Sequence, residues 1–222
     1  MLEYKGVKIV WLGHDTFRIS NGISIYIDPY KLRKEQSVKA DVLLISHEHF
    51  DHLSKDDIRK VIKADTIIVT TKRCADELKD VKVKEINTIK PWERVTIKGI
   101  DIEGVPAYNV NKINPDTKRP FHPKEASMLG FVITFNDVRI YHAGDTDAIV
   151  EMGRLSGIDV ALLPVSGTYV MTAEEAVDAV NMIRPKVAVP MHYGTIVGSD
   201  EDAKRFKEMV KGCEVSVLSR EY

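Results

Sequence analysis

Seven histidines occur in 222 residues, and three of them fall within six positions, in Ser46-His47-Glu48-His49-Phe50-Asp51-His52. Imidazole and carboxylate are the donors that zinc, manganese and iron take when a water must be activated for hydrolysis. Residues two apart in an extended segment point the same way, so His47 and His49 are placed to reach one ion. Asp51 and His52 come after the chain turns and are placed to reach a second ion beside the first. The plain alternative is a chance gathering of polar residues on a solvated loop. The concentration of a scarce residue type in one short stretch argues against it.

The elements around this stretch deliver it to one place. The apolar run Val42-Leu43-Leu44-Ile45 reads as a buried strand, and Ser54-Lys55-Asp56-Asp57 reads as a capping box opening a helix over 54–63. The cluster therefore sits on a loop at the carboxyl end of a strand. Before it, 7–12 and 16–20 read as strands around Gly13-His14-Asp15. Asn21-Gly22 is a hairpin turn, and 23–27 returns as a strand ending at Asp28-Pro29. After it, alternation predicts a strand at 66–69, a helix at 71–79, and strands at 81–86, 93–98 and 100–105. The pattern lapses over 108–127, a loop long enough to suggest a function. Strands resume at 129–135 and 138–142, then a short helix at 147–155 and a strand at 160–163. Thr172-Ala173-Glu174-Glu175 is a second capping box, and its helix ends before Pro185. A strand at 187–189, a helix at 200–210 and a strand at 214–218 close the chain. Hairpins followed by strand–helix alternation in both halves predict two sheets with helices on their outer faces.

All seven histidines, His14, His47, His49, His52, His122, His142 and His192, fall at predicted strand ends or in loops. Core histidines would be scattered through helices as well, whereas ligands converging on a crevice leave from strand ends. Asp145 leaves a strand end in Ala143-Gly144-Asp145-Thr146, where Gly144 permits a tight turn. Beside the histidine cluster it reads as a carboxylate shared by two ions, and His192 follows a strand in the same way.

The pattern His-x-His-x-Asp-His resembles the signature of the metallo-β-lactamase superfamily, and the resemblance covers nearly the whole chain. Asp28 matches the superfamily's strand-end aspartate, His47, His49, Asp51 and His52 its metal loop, Asp145 its bridging aspartate and His192 its last metal histidine. Leu12-Gly13-His14, Ile27-Asp28-Pro29 and His142-Ala143-Gly144-Asp145-Thr146 look like the branch of ascorbate-6-phosphate lactonase and many uncharacterised metal-dependent hydrolases. The resemblance implies a four-layer αββα sandwich, here one domain over residues 1–222, with two divalent metal ions. Zinc is the first expectation for them, then manganese or iron. One position departs from the branch. Asn109 stands where a metal histidine usually follows the strand before the long loop, and Asn is a poor ligand for such metals. The only histidine in that loop is His122, held extended by Pro123 in a segment that Phe121 can anchor by burying its ring, so His122 is expected to supply the missing ligand or touch the metal-bound water.

Two ions about 3.5–4 Å apart hold a hydroxide between them and polarise the attacked oxygen. The expected activity is thus a metal-dependent hydrolase acting with a metal-bound hydroxide on an ester, lactone or phosphodiester. Asp51 and Asp145 are the expected catalytic carboxylates. His14, Asp28, Asn109 and His142 are expected to support the ligands or touch substrate, and Tyr108 and Tyr193 are further candidates for substrate contact. Lys112, Lys118, Arg119 and Lys124 in the long loop suggest a small anionic substrate. Three rivals are weighed. An iron oxidoreductase is disfavoured by His49, since di-iron relatives usually carry glutamate there. A nuclease is disfavoured by the absence of room for an exosite arm. A metal-stabilised binding protein without catalysis is kept open by Asn109.

Composition narrows the partners. Lys plus Arg is 32 and Asp plus Glu is 33, a net charge of -1, which provides no field for nucleic acid or an anionic membrane. The expected partner is a small-molecule substrate, and the sequence leaves room for a homo-oligomer. No apolar run approaches membrane-spanning length, the amino terminus lacks a signal peptide's apolar region, and Cys74 and Cys213 lie in no ligand-like spacing. These features suit two free thiols in a reducing cytosol. A single Gln amid many Lys, Glu, Ile and Val leans towards a thermophile.

Overall fold

A computed structural model describes residues 1–33 and 36–221. Two sheets of seven strands run in chain order. The first holds β1 (Leu2–Tyr4), β2 (Val7–Gly13), β3 (Thr16–Asn21), β4 (Ile23–Ile27), β5 (Val42–Ile45), β6 (Ile67–Thr70) and β7 (Glu85–Thr88). The second holds β8 (Arg94–Ile97), β9 (Ile100–Pro106), β10 (Leu129–Phe135), β11 (Val138–His142), β12 (Val160–Pro164), β13 (Val187–Met191) and β14 (Glu214–Val215). Each begins as an antiparallel meander and continues as a parallel run, from β4 in the first sheet and from β11 in the second. Parallel neighbours need crossovers, and the helices α1 (Lys55–Val61), α2 (Lys72–Glu77), α3 (Ala173–Ile183) and α4 (Asp200–Met209) lie in those crossovers or flank the last strand.

Strand periodicity sorts the layers. In β5, Val42 and Leu44 face the core shared with the second sheet, while Leu43 and Ile45 face the layer of α1 and α2 with Ile58, Val61, Cys74 and Leu78. Fully covered strands of this kind are apolar throughout, which is why β5 and β6 read as unbroken runs. The αββα sandwich expected from the sequence is the observed fold. Among the described residues no helix is long and apolar enough to cross a membrane.

Several boundaries differ from expectation for local reasons. Ser54 caps α1 by accepting the Asp57 amide, but Asp57 does not complete the box. Its carboxylate accepts the amides of Lys31 and Leu32 at 2.9 and 3.0 Å, tying down the connection after β4. The strand expected over 81–86 pairs only from Glu85, because 78–84 must first descend from the helix layer, and Val81 stays buried there. The helix expected over 147–155 is a single 3₁₀ turn, Val150–Arg154, because Asp147 is spent on the backbone amides of Val110 and Asn111. At α3 both halves of the box form, and Arg184 in the left-handed region (φ 54°) ends the helix before Pro185.

The long loop is folded back on itself. An isolated bridge pairs Ile113 with Pro120, the Asn114 side chain accepts the amides of Asp116 and Thr117, and the Asn109 amide donates to the His122 carbonyl at 2.8 Å. Residues far apart in the loop thereby meet at its base.

Candidate metal centre

The strand ends of both sheets open onto one crevice. The two-residue turn between β2 and β3 supplies His14 and Asp15, the end of β4 supplies Asp28, and the end of β5 supplies 46–52. From the second sheet come the base of the long loop, Asp145 after β11 and His192 after β13. His14 (φ 52°), Asp28 (φ 42°) and His192 (φ 59°) all adopt the left-handed region. Such strain in non-glycine residues gathers at functional sites, where surrounding structure holds it. Gly144 (φ 64°) has a second reason to be glycine, since a Cβ there would lie 2.6 Å from the Leu129 carbonyl oxygen.

Two groups of donors result. In the first, His47 Nε2 lies 3.1 Å from His49 Nδ1, and His122 Nε2 lies 3.2 Å from the same atom. His122 is aimed by Asn109. The Asn109 Oδ1 accepts the His122 amide at 2.9 Å and faces His122 Nδ1 at 3.0 Å, while its amide group donates to Tyr169 O and Asp147. A proton on Nδ1 leaves the His122 Nε2 lone pair facing His47 and His49. Asn109 thus sits behind His122 rather than in the cluster itself.

The second group holds Asp51, His52, His192, His14 and Asp15, with Asp145 lying between both groups. Asp145 Oδ2 is 3.3 Å from His122 Nε2 and 3.4 Å from His192 Nε2, and its Oδ1 is 3.3 Å from His52 Nε2. Supporting bonds orient the rings: His52 Nδ1 meets Asp28 Oδ2 at 2.9 Å, and His192 Nδ1 meets Ser166 Oγ at 3.0 Å. Asp28 is itself held by the Ser46 amide and hydroxyl. His14 Nε2 meets Asp51 Oδ2 at 3.0 Å. His142 stands apart: Nε2 donates to the Asp15 carbonyl and Nδ1 accepts from the Gly144 amide, so both ring nitrogens are spent in the wall and none reaches substrate space.

Buried polar atoms are normally paired. Here His14 Nδ1, both Asp15 oxygens, His52 Nε2, Asp145 Oδ1 and His192 Nε2 are buried without a hydrogen-bond partner. Nitrogen and carboxylate lone pairs facing one another across such gaps are what a divalent cation satisfies, so the residues fit a metal centre.

The two groups differ electrically. Burial holds His47 well below the ordinary imidazole range, and burial together with the neighbouring His122 lowers His49. His14 is pushed down to about 4 by burial and by His192. For His192 burial acts downwards, but Asp145 and Asp15 outweigh it and raise the ring to about 9. His52 goes well up for the same reason, with Asp145 and Asp28 overcoming burial. Burial opposes ionisation of Asp51, yet His14 and His52 bring it down to about 2. His47 and His49 therefore present neutral nitrogens at neutral pH, whereas His52 and His192 carry protons that an ion must displace.

A cavity of about 280 Å³ opens over the centre. His49, Asp51, His122 and Asp145 form its floor, and Phe50, Phe121, Tyr169 and Ile196 form its rim. Among the described residues no Lys or Arg lines it, and the loop cations on which an anionic substrate was expected lie elsewhere. Lys112 pairs with Glu175 at 2.6 Å, Lys124 pairs with Glu151 at 2.8 Å over the Tyr108 ring, and Lys118 and Arg119 are exposed on the loop. Tyr108 and Tyr193 are also outside the cavity: Tyr108 donates to Glu151 and Tyr193 packs on Trp11. Sequence reasoning passed over Asp15, Ser166 and Tyr169. Asp15 carried a signal, its place beside His14 in a strand-joining turn. Tyr169 carried none, because only the fold brings the segment after β12 to the rim.

Fold and donor set together define a protein of the metallo-β-lactamase superfamily. Residues 8–192 match the beta-lactamase superfamily domain, and the chain belongs to that family as a metal-dependent hydrolase. A UPF0173 metal-dependent hydrolase of Methanopyrus kandleri is 30% identical over 224 residues, covering 96% of each chain. A UPF0173 protein of Pyrococcus abyssi is 35% identical over 222 residues, covering 97% of this chain and 96% of that one. Among solved structures, Igni18, a metallo hydrolase from the hyperthermophilic archaeon Ignicoccus hospitalis, aligns with a TM-score of 0.78 at 26% identity, covering 97% of this chain and 96% of that one.

Proposed function

We propose that the protein hydrolyses an ester, lactone or phosphodiester bond in a small molecule that carries an apolar group beside the scissile bond. The observation that carries this reading is Asp145 lying between two donor groups on the floor of a cavity whose rim is aromatic and aliphatic. His47, His49 and His122 would hold one divalent ion, and Asp51, His52 and His192 the other, with Asp145 shared. Zinc suits the imidazole-rich set, with manganese or iron as alternatives. Bound there, the ions would supply an acidified water as nucleophile and draw charge from the attacked oxygen.

The chain's own residues do the rest. Asp51 is ionised and lines the cavity, so it is placed to take a proton from the attacking water, and His14 holds its carboxylate at 3.0 Å. Phe50 and Ile196 are exposed at the rim, and Phe121 stacks edge-on to Tyr169 at 4.8 Å, giving an apolar group a surface to leave water for. The partner in this reading is a small molecule rather than nucleic acid or a membrane, and the buried unpaired Cys74 keeps the cytosolic expectation as part of the proposal.

The test is a panel of small esters, lactones and phosphodiesters, neutral and anionic, with zinc- and manganese-loaded protein and an oxygen electrode in parallel. Turnover of a neutral substrate with an apolar group, abolished by chelator and by Asp145→Ala, is expected. Oxygen uptake without hydrolysis, or no turnover by fully metallated protein, would overturn the reading.

A further inference from the structure

We infer that Asp15 is a further donor to the second ion position and shifts that position's selectivity towards a harder ion, manganese, relative to the first. The inference rests on the two-ion reading above and adds a ligand and a metal preference to it.

Asp15 is fully buried, and neither carboxylate oxygen has a hydrogen-bond partner. A carboxylate is not left that way in a protein interior unless something else meets it. Its Oδ2 lies 3.6 Å from His14 Nε2 and 3.7 Å from both His52 Nε2 and His192 Nε2. Those separations exceed an N–H···O bond, yet they are nearly equal. Donors bound to one ion at about 2.0–2.2 Å stand roughly 3–3.6 Å from one another, from octahedral to tetrahedral geometry. The spacing is thus close to that of donors around a common centre.

The turn that carries Asp15 is fixed from several sides. His142 donates to the Asp15 carbonyl at 2.9 Å, Trp11 Nε1 donates to the His14 carbonyl at 2.8 Å, and the His192 amide donates to that same carbonyl at 3.2 Å. Two of those donors come from the second sheet. The carboxylate is therefore held in place before any ion arrives, as a ligand must be.

Its effect follows from donor counting. The first position collects three imidazoles beside Asp145. The second collects His14, His52 and His192 with Asp51, Asp145 and Asp15, so oxygen donors equal nitrogen there, whereas at the first they are outnumbered three to one. Added carboxylates shift a site towards manganese, and imidazole-rich sets suit zinc.

Wild-type protein, Asp15→Asn and Asp15→Ser, stripped and reloaded, would be titrated with manganese and with zinc. Bound ions would be counted by elemental analysis and bound manganese read by paramagnetic resonance. In wild type the ratio of manganese to zinc affinity should be higher at the second position than at the first. Both variants should keep zinc at the first position and lose at least about tenfold in manganese affinity, the size expected for disturbing a metal's surroundings. Unchanged manganese affinity in a folded variant that still binds two ions would overturn the inference and leave the two-ion reading intact. A manganese-to-zinc affinity ratio no higher at the second position than at the first would also overturn it. Wild type that takes fewer than two ions of any kind would overturn both.

Discussion

The two halves of the metal centre are built by different routes. His47 and His49 come from one short stretch, and the loop folded back by Asn109 adds His122 to them. The other half has no such local origin. His14, Asp15, Asp51, His52, Asp145 and His192 arrive from four strand ends in two sheets and meet only in the packed sandwich. Their electrostatics differ accordingly. Imidazoles crowded together are driven neutral, whereas His52 and His192 among carboxylates are driven to hold protons. A short motif is enough to mark a centre of this kind, and long-range convergence sets its charge.

Asp145 belongs to both halves, so its removal should erase the difference between them. Asp145→Ala should lose ions from both positions and at least about 10³-fold in turnover, the upper order for a group acting directly on the reacting charge. The fold should survive on its continuous core. Metal analysis and circular dichroism check this, and a variant with full metal content breaks the bridging assignment.

His122→Ala should separate the halves. It removes a donor from the first only, so affinity at one position should fall about 100-fold while the other holds. Equal weakening at both positions would show that the division is wrong. Asn109→Ala should act in the same direction but less, by about tenfold, because it frees the ring without removing it.

Proton linkage offers a test without substitution. His192 has its pKa raised from 6.5 to about 9 in the metal-free fold. The stability it contributes is fully present below pH 6.5 and is lost as pH rises through 9, a change on the order of a few kcal/mol. His52 acts in the same direction. Chelated protein should therefore unfold more readily at pH 9.5 than at pH 6, and added ions, which replace those protons, should flatten the dependence. Denaturation of chelated protein with equal midpoints at the two pH values would remove the electrical contrast between the halves.

Phe50 lies within the motif but faces the rim, 69% exposed. Phe50→Ala should leave metal content unchanged and raise KM for an apolar substrate about fivefold, corresponding to roughly 1 kcal/mol of lost apolar contact. An effect on kcat alone would place the ring in the chemistry instead.

Spacing and periodicity carried much of this in advance. The His47–His52 stretch, Asp145 after a strand with its obligatory Gly144, and the alternation in β5 all depend on neighbours a few residues away. So did the cap at Thr172, whose box forms as written. The cap at Ser54 was legible only in part, since Asp57 had two amides of another segment to satisfy. Lys112 and Lys124 of the long loop were likewise legible only in part. Their charge was visible in the letters, but their partners Glu175 and Glu151 lie on elements that only packing brings near.

Residue type and local spacing by themselves determined that this chain carries a candidate His/Asp metal cluster on a strand–loop–helix and that apolar strands must be covered on both faces. Hydrophobic period and hydrogen-bonded turns are short-range, so a sequence states them directly. Only the tertiary structure decided that Asn109 stands behind His122, that Asp15 is sealed beside three imidazoles, and that the cavity rim is apolar. Those outcomes depend on which strand ends converge and how much water is left between them. Burial and the charges nearby then set each donor's proton, and neither is a property of a residue's neighbours along the chain.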